Sequence, residues 1–434
     1  MSPMPAWDIS LKVRAEECFL PLAVAYAEKA ALALGLGEME ALALTVATEE
    51  IFGHLCRVAA AGKDVEVGCR SGGYYVEQEF SFKAEDFTMR AINLTTSASV
   101  DDESSFEETG LLIASRMVDR MKFAASGGRL RLTLIKEKAY PEISEIQIPE
   151  VPPLTDYEIR APDAEEIKAF VHLVNLNYGD GVIPGIFRCP GMLVDMVASR
   201  DHSMAVAADR AGRIGGGIIW QRVSPDTAEW LGPYLFNQPD SSEMALGLVD
   251  ACIEAVARSK VENLITRFPT AELPADYFER LGSVTVCPKD GHPVELDAFY
   301  RHLGEDLGSA AWCHPLLEGF LASEYERLAF ARQIHLVRDE GETHSPFSVL
   351  SAELDRSVGS VTLRPVWWGK DASRTVASYV NVLLREDVSC ILFEIDLGEP
   401  WHSYFVPALL DHGFVPRFVL PLAGKGDVAV FQHS

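Results

Sequence analysis

The stretch SMAVAADRAGRIGGGIIWQRV, Ser203 to Val223, decides the fold. It reads as a hairpin, and the elements after it return later in the chain. SEMALGLVDACIEAVARS (Ser242–Ser259) has helical periodicity, ENLITRF (Glu262–Phe268) is a strand, and ELPADYFERLGS (Glu272–Ser283) predicts a helix ending at Gly282. Farther on, Phe347–Trp367 reads as a second hairpin, Ser373–Glu386 as a helix, SCILFEIDL (Ser389–Leu397) as a strand, and Pro400–Phe414 as a helix ending at Gly413. The order strand, strand, helix, strand, helix, strand therefore recurs. The boundary between the copies is expected near Leu296 to Gly308.

Upstream of the first copy the text changes. PEISEIQIPEVPPLTDYEIRAPD, Pro141 to Asp163, is rich in proline and acid, and proline at that density resists both helix and central strand. It is the clearest linker. Before it, Ala15–Leu36 and Met39–Ala61 predict two helices, and Val65–Ser71 with Tyr74–Phe82 predicts a hairpin turned by Gly72-Gly73. TTSASVDDESSFEE (Thr95–Glu108) predicts a mobile acidic loop. Gly110–Phe123 predicts a helix and RLRLTLIKE (Arg129–Glu137) an alternating strand.

The 434 residues, 48% hydrophobic and 24% charged, suffice for several cores. A formal charge of −26 argues against nucleic acid or an anionic membrane as partner, since neither is bound without concentrated Lys and Arg. No charged-then-apolar leader and no eighteen-residue apolar run is visible, so the chain reads as cytoplasmic. The eight cysteines stand singly, without the close pairs that zinc ligation uses, and no metal site is expected.

The segment from about Ile9 to Glu137 resembles the GHKL ATPase fold in the form found in anti-sigma-factor serine kinases. GLLIASRMVDRMKFAASGGRLRLTLIKE carries the likeness best, following that family's closing helix, Val-Asp step and final strand. The resemblance implies ATP with Mg²⁺ as cofactor. Within TEEIFGHL it places Glu49 as general base and Gly53 where the family has its Mg²⁺-holding Asn. Gly110 then stands at the start of a phosphate-receiving helix. Glycine offers Mg²⁺ no oxygen, and the alternative pair Glu50 and His54 offers a hard cation an imidazole, so the nucleotide site reads as eroded. Apart from the resemblance, Glu49 and Glu50 read as solvated or paired carboxylates and His54 as a surface or interface histidine.

Tyr157 to about Pro293 resembles the GNAT N-acetyltransferase fold, carried by Asn175–Trp220. The remainder resembles a second copy, carried by DHGFVPRFVLPLAGKGDVAVFQ (Asp411–Gln432). The resemblance implies acetyl-CoA held at a turn before a helix, with Gln238 at that turn in the first copy and Gly369 and Arg374 in the second. Glu243 and Asp371 are unfavourable to an anionic cofactor, and both turns also read as ordinary helix caps. GKGD (Gly424–Asp427) reads as a hairpin turn.

The expected class is α+β: an N-terminal GHKL ATPase-like α/β sandwich (1–140), a Pro-rich linker (141–156), and two GNAT-like mixed-sheet α/β domains (157–300 and 301–434). The expected role is a bacterial signalling or regulatory protein that binds a protein partner of the sigma-factor regulatory type, or an acyl ligand. A homodimer is compatible with it. The alternative is an active enzyme, either a serine kinase or an acyl-CoA-dependent N-acyltransferase.

Overall fold

The computed structural model describes residues 8–58, 63–83, 114, 116–126, 129–143, 151–178, 183–238, 241–286, 292–355, 359–386 and 388–434. The fold is mixed α and β with several sheets. It forms two compact units: Met1–Ala139 with His344–Glu353 and Pro365–Tyr379, and Tyr140–Thr343 with Leu354–Arg364 and Val380–Ser434. No helix among the described residues is long and apolar enough to cross a membrane.

The N-terminal part runs β1 (Ile9–Arg14), α1 (Leu20–Ala33), α2 (Glu38–Val58), β2 (Asp64–Ser71), β3 (Tyr75–Lys83), β4 (Arg120–Ser126) and β5 (Arg129–Glu137). Ala23, Ala27, Ala30 and Ala31 of α1 are buried, and side chains this small let α2 approach closely. The helix stops where Gly35 takes φ +97°, with Gly35 N–H donating to Leu32 O and Leu36 N–H to Ala31 O, each 3.1 Å. That pair of bonds closes the last turn in a Schellman motif, which glycine adopts without strain. The five strands pair in the order β1-β2-β3-β5-β4. Alternate residues of β5 (Leu130, Leu132, Leu134) join Leu44, Ile51, Phe52 and Leu55 of α2 in one core.

The second unit opens with β6 (Glu158–Arg160), α3 (Ala164–Tyr178), α4 (Pro190–Ala198), β7 (His202–Ala208), β8 (Ile214–Arg222), β9 (Thr227–Leu235), α5 (Ser241–Ala257), β10 (Asn263–Thr266), β11 (Glu279–Val286) and β12 (Val294–His302). Their sheet has the order β11-β12-β10-β9-β8-β7-β6. After these come β13 (Ser309–Cys313), α6 (Pro315–Arg327), β14 (Arg332–Leu336), β15 (Val349–Asp355), β16 (Ser360–Trp367), α7 (Ala372–Arg385), β17 (Cys390–Asp396), α8 (Val406–Asp411), β18 (Phe414–Leu420) and β19 (Val428–His433). β13 and β14 pair in parallel by themselves, and the last sheet runs β15-β16-β17-β19-β18.

Two five-strand runs thus share one topology: β8-β9-β10-β12-β11 and β15-β16-β17-β19-β18. In each the second and third strands are parallel, joined by a helix, and the last pair is an antiparallel hairpin. The two runs share a core in which Leu281, Val284, Ala298 and Tyr300 meet Phe418, Leu420 and Val430. Across it the Gln432 amide clasps the backbone of Thr285, accepting from its N–H (3.1 Å) and donating to its carbonyl (2.6 Å).

One expected helix is shortened, keeping Ala114, Arg116 and Met117 helical, and another is overturned. Within Gly110–Phe123, residues from Arg120 onward form β4, because Met121 and Phe123 alternate toward the core and pair with Leu134 and Leu132. Glu272–Ser283 is helical only as a single 3-10 turn, Ala275–Tyr277, after which the chain enters β11. Gly282 is therefore no helix stop. A Cβ there would lie 2.8 Å from Phe418 Cβ, so the residue serves the close approach of the two copies. The acidic Thr95–Glu108 stretch and Gly110 lie outside the described residues.

Candidate functional site

β9 and β10 pair in parallel only through Asn263↔Thr227, Leu264↔Ala228 and Ile265↔Glu229. Beyond Glu229, β9 runs six residues further with no register partner, because β10 ends at Thr266, and the strands part in a wedge crossed by Thr270 and Phe278 of the chain after β10. A break in the β8–β9 register, from Ile219↔Leu231 to Gly217↔Tyr234, absorbs Gly232 and Pro233. Gly232 sits at φ +100°, a left-handed conformation suited to glycine. Proline, which has no N–H to give a ladder, is accommodated because it stands in the bulge and beyond the β10 pairing.

Aromatic side chains fill the wedge. α3 ends on Tyr178, whose hydroxyl donates to Leu235 O (3.1 Å) and accepts from Leu235 N–H (2.9 Å). Tyr178 meets Tyr234 edge-on at 5.1 Å, and Phe187 and Phe170 stand 5.2 and 5.9 Å from the same Tyr234 ring. Burial raises the Tyr178 pKa, and the nearby Glu272 carboxylate adds to the rise against the Leu235 backbone bond. On the β10 side, Thr270 Oγ1 donates to Pro233 O (2.6 Å).

The base of the wedge is sealed by charge. Arg267, just past β10, binds Glu229 through Nε (2.7 Å) and Nη2 (3.0 Å), and its Nη1 reaches Glu394 at 3.3 Å. Arg364 closes the row by donating to Glu394 from Nε (2.6 Å). Glu394 follows Phe393, the last residue of β17 paired in parallel with β16, so the row Glu229, Arg267, Glu394, Arg364 spans the ends of both parallel pairs.

Gln238 stands in the turn between β9 and α5. Its Nε2 donates to Phe236 O (2.8 Å) and its Oε1 accepts from Leu154 N–H (2.9 Å), while Asn237 Nδ2 donates to Val151 O (2.9 Å). In the second copy Gly369 is closely covered: a Cβ there would lie 2.3 Å from the Phe347 carbonyl. The Gly369 N–H is spent on Ser348 Oγ (2.9 Å) and that of Lys370 on Ser345 O (2.9 Å). The Arg374 side chain is 77% exposed, 3.8 Å from Asp371. Gln238 thus borders the wedge, whereas the Gly369 and Lys370 amides are spent within their own turn.

Glu49 is exposed on α2 and Gly53 half-buried one turn later; a Cβ at Gly53 would meet only Arg57 Nη1, at 3.5 Å. His54 is buried, 1% exposed, which overturns its reading as a surface histidine. The GKGD stretch joins β18 to β19 as a turn. The N–H groups of Lys425 (2.7 Å), Gly426 (3.0 Å) and Gly398 (2.9 Å) converge on the Asp396 carboxylate, so the anion they hold is the chain's own. Burial raises the Asp396 pKa by more than these three donors lower it. Asp427 is buried against Arg332 Nε at 2.7 Å.

Sequence reasoning missed Tyr178, Glu229, Arg267 and Asn237. A charged residue inside the apolar run TAEWLGPYL, and an arginine directly after the strand ENLIT, were the available signals for the ion pair.

No family model matches the chain, and no curated protein matches it. Solved structures similar to it include a GNAT superfamily phosphinothricin acetyltransferase from Sinorhizobium meliloti in complex with AcCoA, at 16% identity and a TM-score of 0.30. That match covers 34% of this chain and 89% of that one. An N-acetyltransferase from Staphylococcus aureus Mu50 is 15% identical, covering 35% of this chain and 100% of its own, with a TM-score of 0.30. A ribosomal-protein-alanine N-acetyltransferase from Brucella melitensis is 17% identical over 34% of this chain and 99% of its own, again at 0.30. These are likenesses of arrangement over about a third of the chain.

Proposed function

We propose that the chain is a regulatory protein with a GHKL-like N-terminal module (1–140), a Pro-rich linker (141–156) and two GNAT-like repeats (157–300 and 301–434). In this reading the first repeat takes an acyl-CoA-type ligand, and the second is its scaffold. The supporting observation is the wedge where β9 leaves β10 after Glu229, flanked by the Gln238 turn. Tyr178 both donates to and accepts from the backbone of Leu235, as an amide of a ligand chain would, and this supports pairing of such a ligand at Leu235. Binding without turnover is favoured because Glu229, the carboxylate of β9 nearest the wedge, has both oxygens engaged by Arg267 and offers none to a substrate.

The N-terminal module is proposed as the partner-binding part, ATP being dispensable. Met39 (72% exposed) and Leu42 (54%) lie near the α1–α2 turn, apolar surface suited to a protein partner. Calorimetry and thermal unfolding with acetyl-CoA or Mg-ATP, paired with an assay for released thiol, test the reading. Acetyl-CoA at ten times its Kd is expected to stabilise the protein by about 1.4 kcal/mol, with no thiol released. Thiol release dependent on an amine acceptor would replace this reading with the acyltransferase one; a shift with Mg-ATP alone would move the ligand to the N-terminal module.

A further inference from the structure

The turn beside the wedge is already occupied by a piece of the linker. Val151 O accepts from Asn237 Nδ2, and Leu154 N–H donates to Gln238 Oε1, each at 2.9 Å. Between these two contacts stand Pro152 and Pro153, which keep the segment extended and themselves carry no N–H. The Leu154 side chain seats over the glycine-rich start of β8: a Cβ on Gly215 would fall 2.8 Å from Leu154 Cδ1, 3.0 Å from Met244 Cε and 3.3 Å from the Gln238 amide carbon. Leu154 and Tyr157 pack on the same core as Leu235, Met244 and Leu248.

The sheet does not require this arrangement, since β6 begins only at Glu158. Yet the side chains of Asn237 and Gln238 are committed to the segment, and Gly215 supplies the space in which it lies. Two hydrogen bonds and the side chains of Leu154 and Tyr157 hold this closure beside the turn at which the acyl-ligand reading puts Gln238.

We propose that Val151–Tyr157 is a strap that closes the acyl-CoA wedge of the first repeat, so that strap and ligand exclude one another and partner binding at the linker can set ligand affinity. The proposal rests on the acyl-ligand reading given above. A ligand that binds only the open form shows an apparent Kd equal to the intrinsic Kd divided by the open fraction. Loosening the strap is therefore expected to tighten binding without adding a contact.

The test uses the full chain and acetyl-CoA, with wild type and Leu154→Asp compared by calorimetry, and amide hydrogen exchange followed across residues 151–157. The expected result is at least about tenfold tighter binding to L154D. In the wild type, the Leu154 amide should lose protection as acetyl-CoA saturates, a readout that needs no variant. Equal affinities, or a Leu154 amide that stays protected in saturated wild type, would overturn the strap and leave the acyl-ligand reading standing. Absence of binding in both proteins, with exchange showing the strap open in L154D, would overturn both.

Discussion

Arg267 grips Glu229 with two of its nitrogens and reaches across to Glu394 with the third, at 2.7, 3.0 and 3.3 Å. Both carboxylates are largely buried, their side chains 5% and 10% exposed. A buried charge is tolerated only while paired, so Arg267→Met is expected to cost about 3–5 kcal/mol, whereas the double change with Glu229→Met should recover part of it. Urea unfolding of the two variants reads this directly. If R267M loses under 1 kcal/mol, the row of charges does not hold the parallel pairs together.

Tyr178→Phe removes the one hydroxyl that serves both backbone groups of Leu235. The expected loss of stability is about 1–3 kcal/mol, the cost of leaving buried backbone groups unpaired. Acetyl-CoA affinity is expected to rise in the same variant, because Leu235 becomes available. Denaturant melts and calorimetry on one preparation separate the two effects.

The glycines of the two motif positions should behave oppositely. Gly53 lies inside α2, where a would-be Cβ makes only an ordinary contact with Arg57 Nη1, so Gly53→Ala is expected to stabilise by about 0.5–1 kcal/mol. At Gly369 a Cβ would press on the Phe347 backbone, which has no flexible end to yield, and Gly369→Ala is expected to cost about 1–3 kcal/mol. Equal effects at the two sites would contradict the packing described for them.

His402 gives the protein an acid limb. Burial lowers its pKa to about 4, the Glu399 carboxylate resisting and Lys425 assisting, and its Nδ1 accepts from the Asp396 N–H at 3.2 Å. A free histidine titrates near 6.5, so between about pH 6.5 and 4 the unfolded chain binds the proton that the folded chain refuses. Stability therefore falls as pH falls through that window, by up to about 3 kcal/mol. Asp396, whose pKa is raised by burial, acts in the opposite sense from its ordinary 3.8 upward. His402→Asn keeps an acceptor and should flatten the limb in a pH series of unfolding midpoints; an unchanged slope assigns it to other groups.

Periodicity made much of this architecture readable, and its failures have local causes. Leu130, Leu132 and Leu134 face one core, and α2 presents a continuous buried stripe, so both were visible as repeats of two and of about 3.6. β9 was invisible because all nine of its residues are buried, which abolishes alternation, and because Gly232-Pro233 reads as a breaker until the bulge is known. β11 was misread as helix because the register break between Arg280 and Gly282 shifts its apolar phase by one. Gln238 was legible as a turn residue, but its real partner, Leu154, lies 84 positions earlier, and no local pattern carries such a pairing.

The clasp of Gln432 on the Thr285 backbone ties β19 to β11 across two separate sheets. Each sheet completes the other's interior, so neither keeps its core closed if the other is trimmed away. A substitution in β19 is then felt first outside its own sheet, at the β11–β12 hairpin.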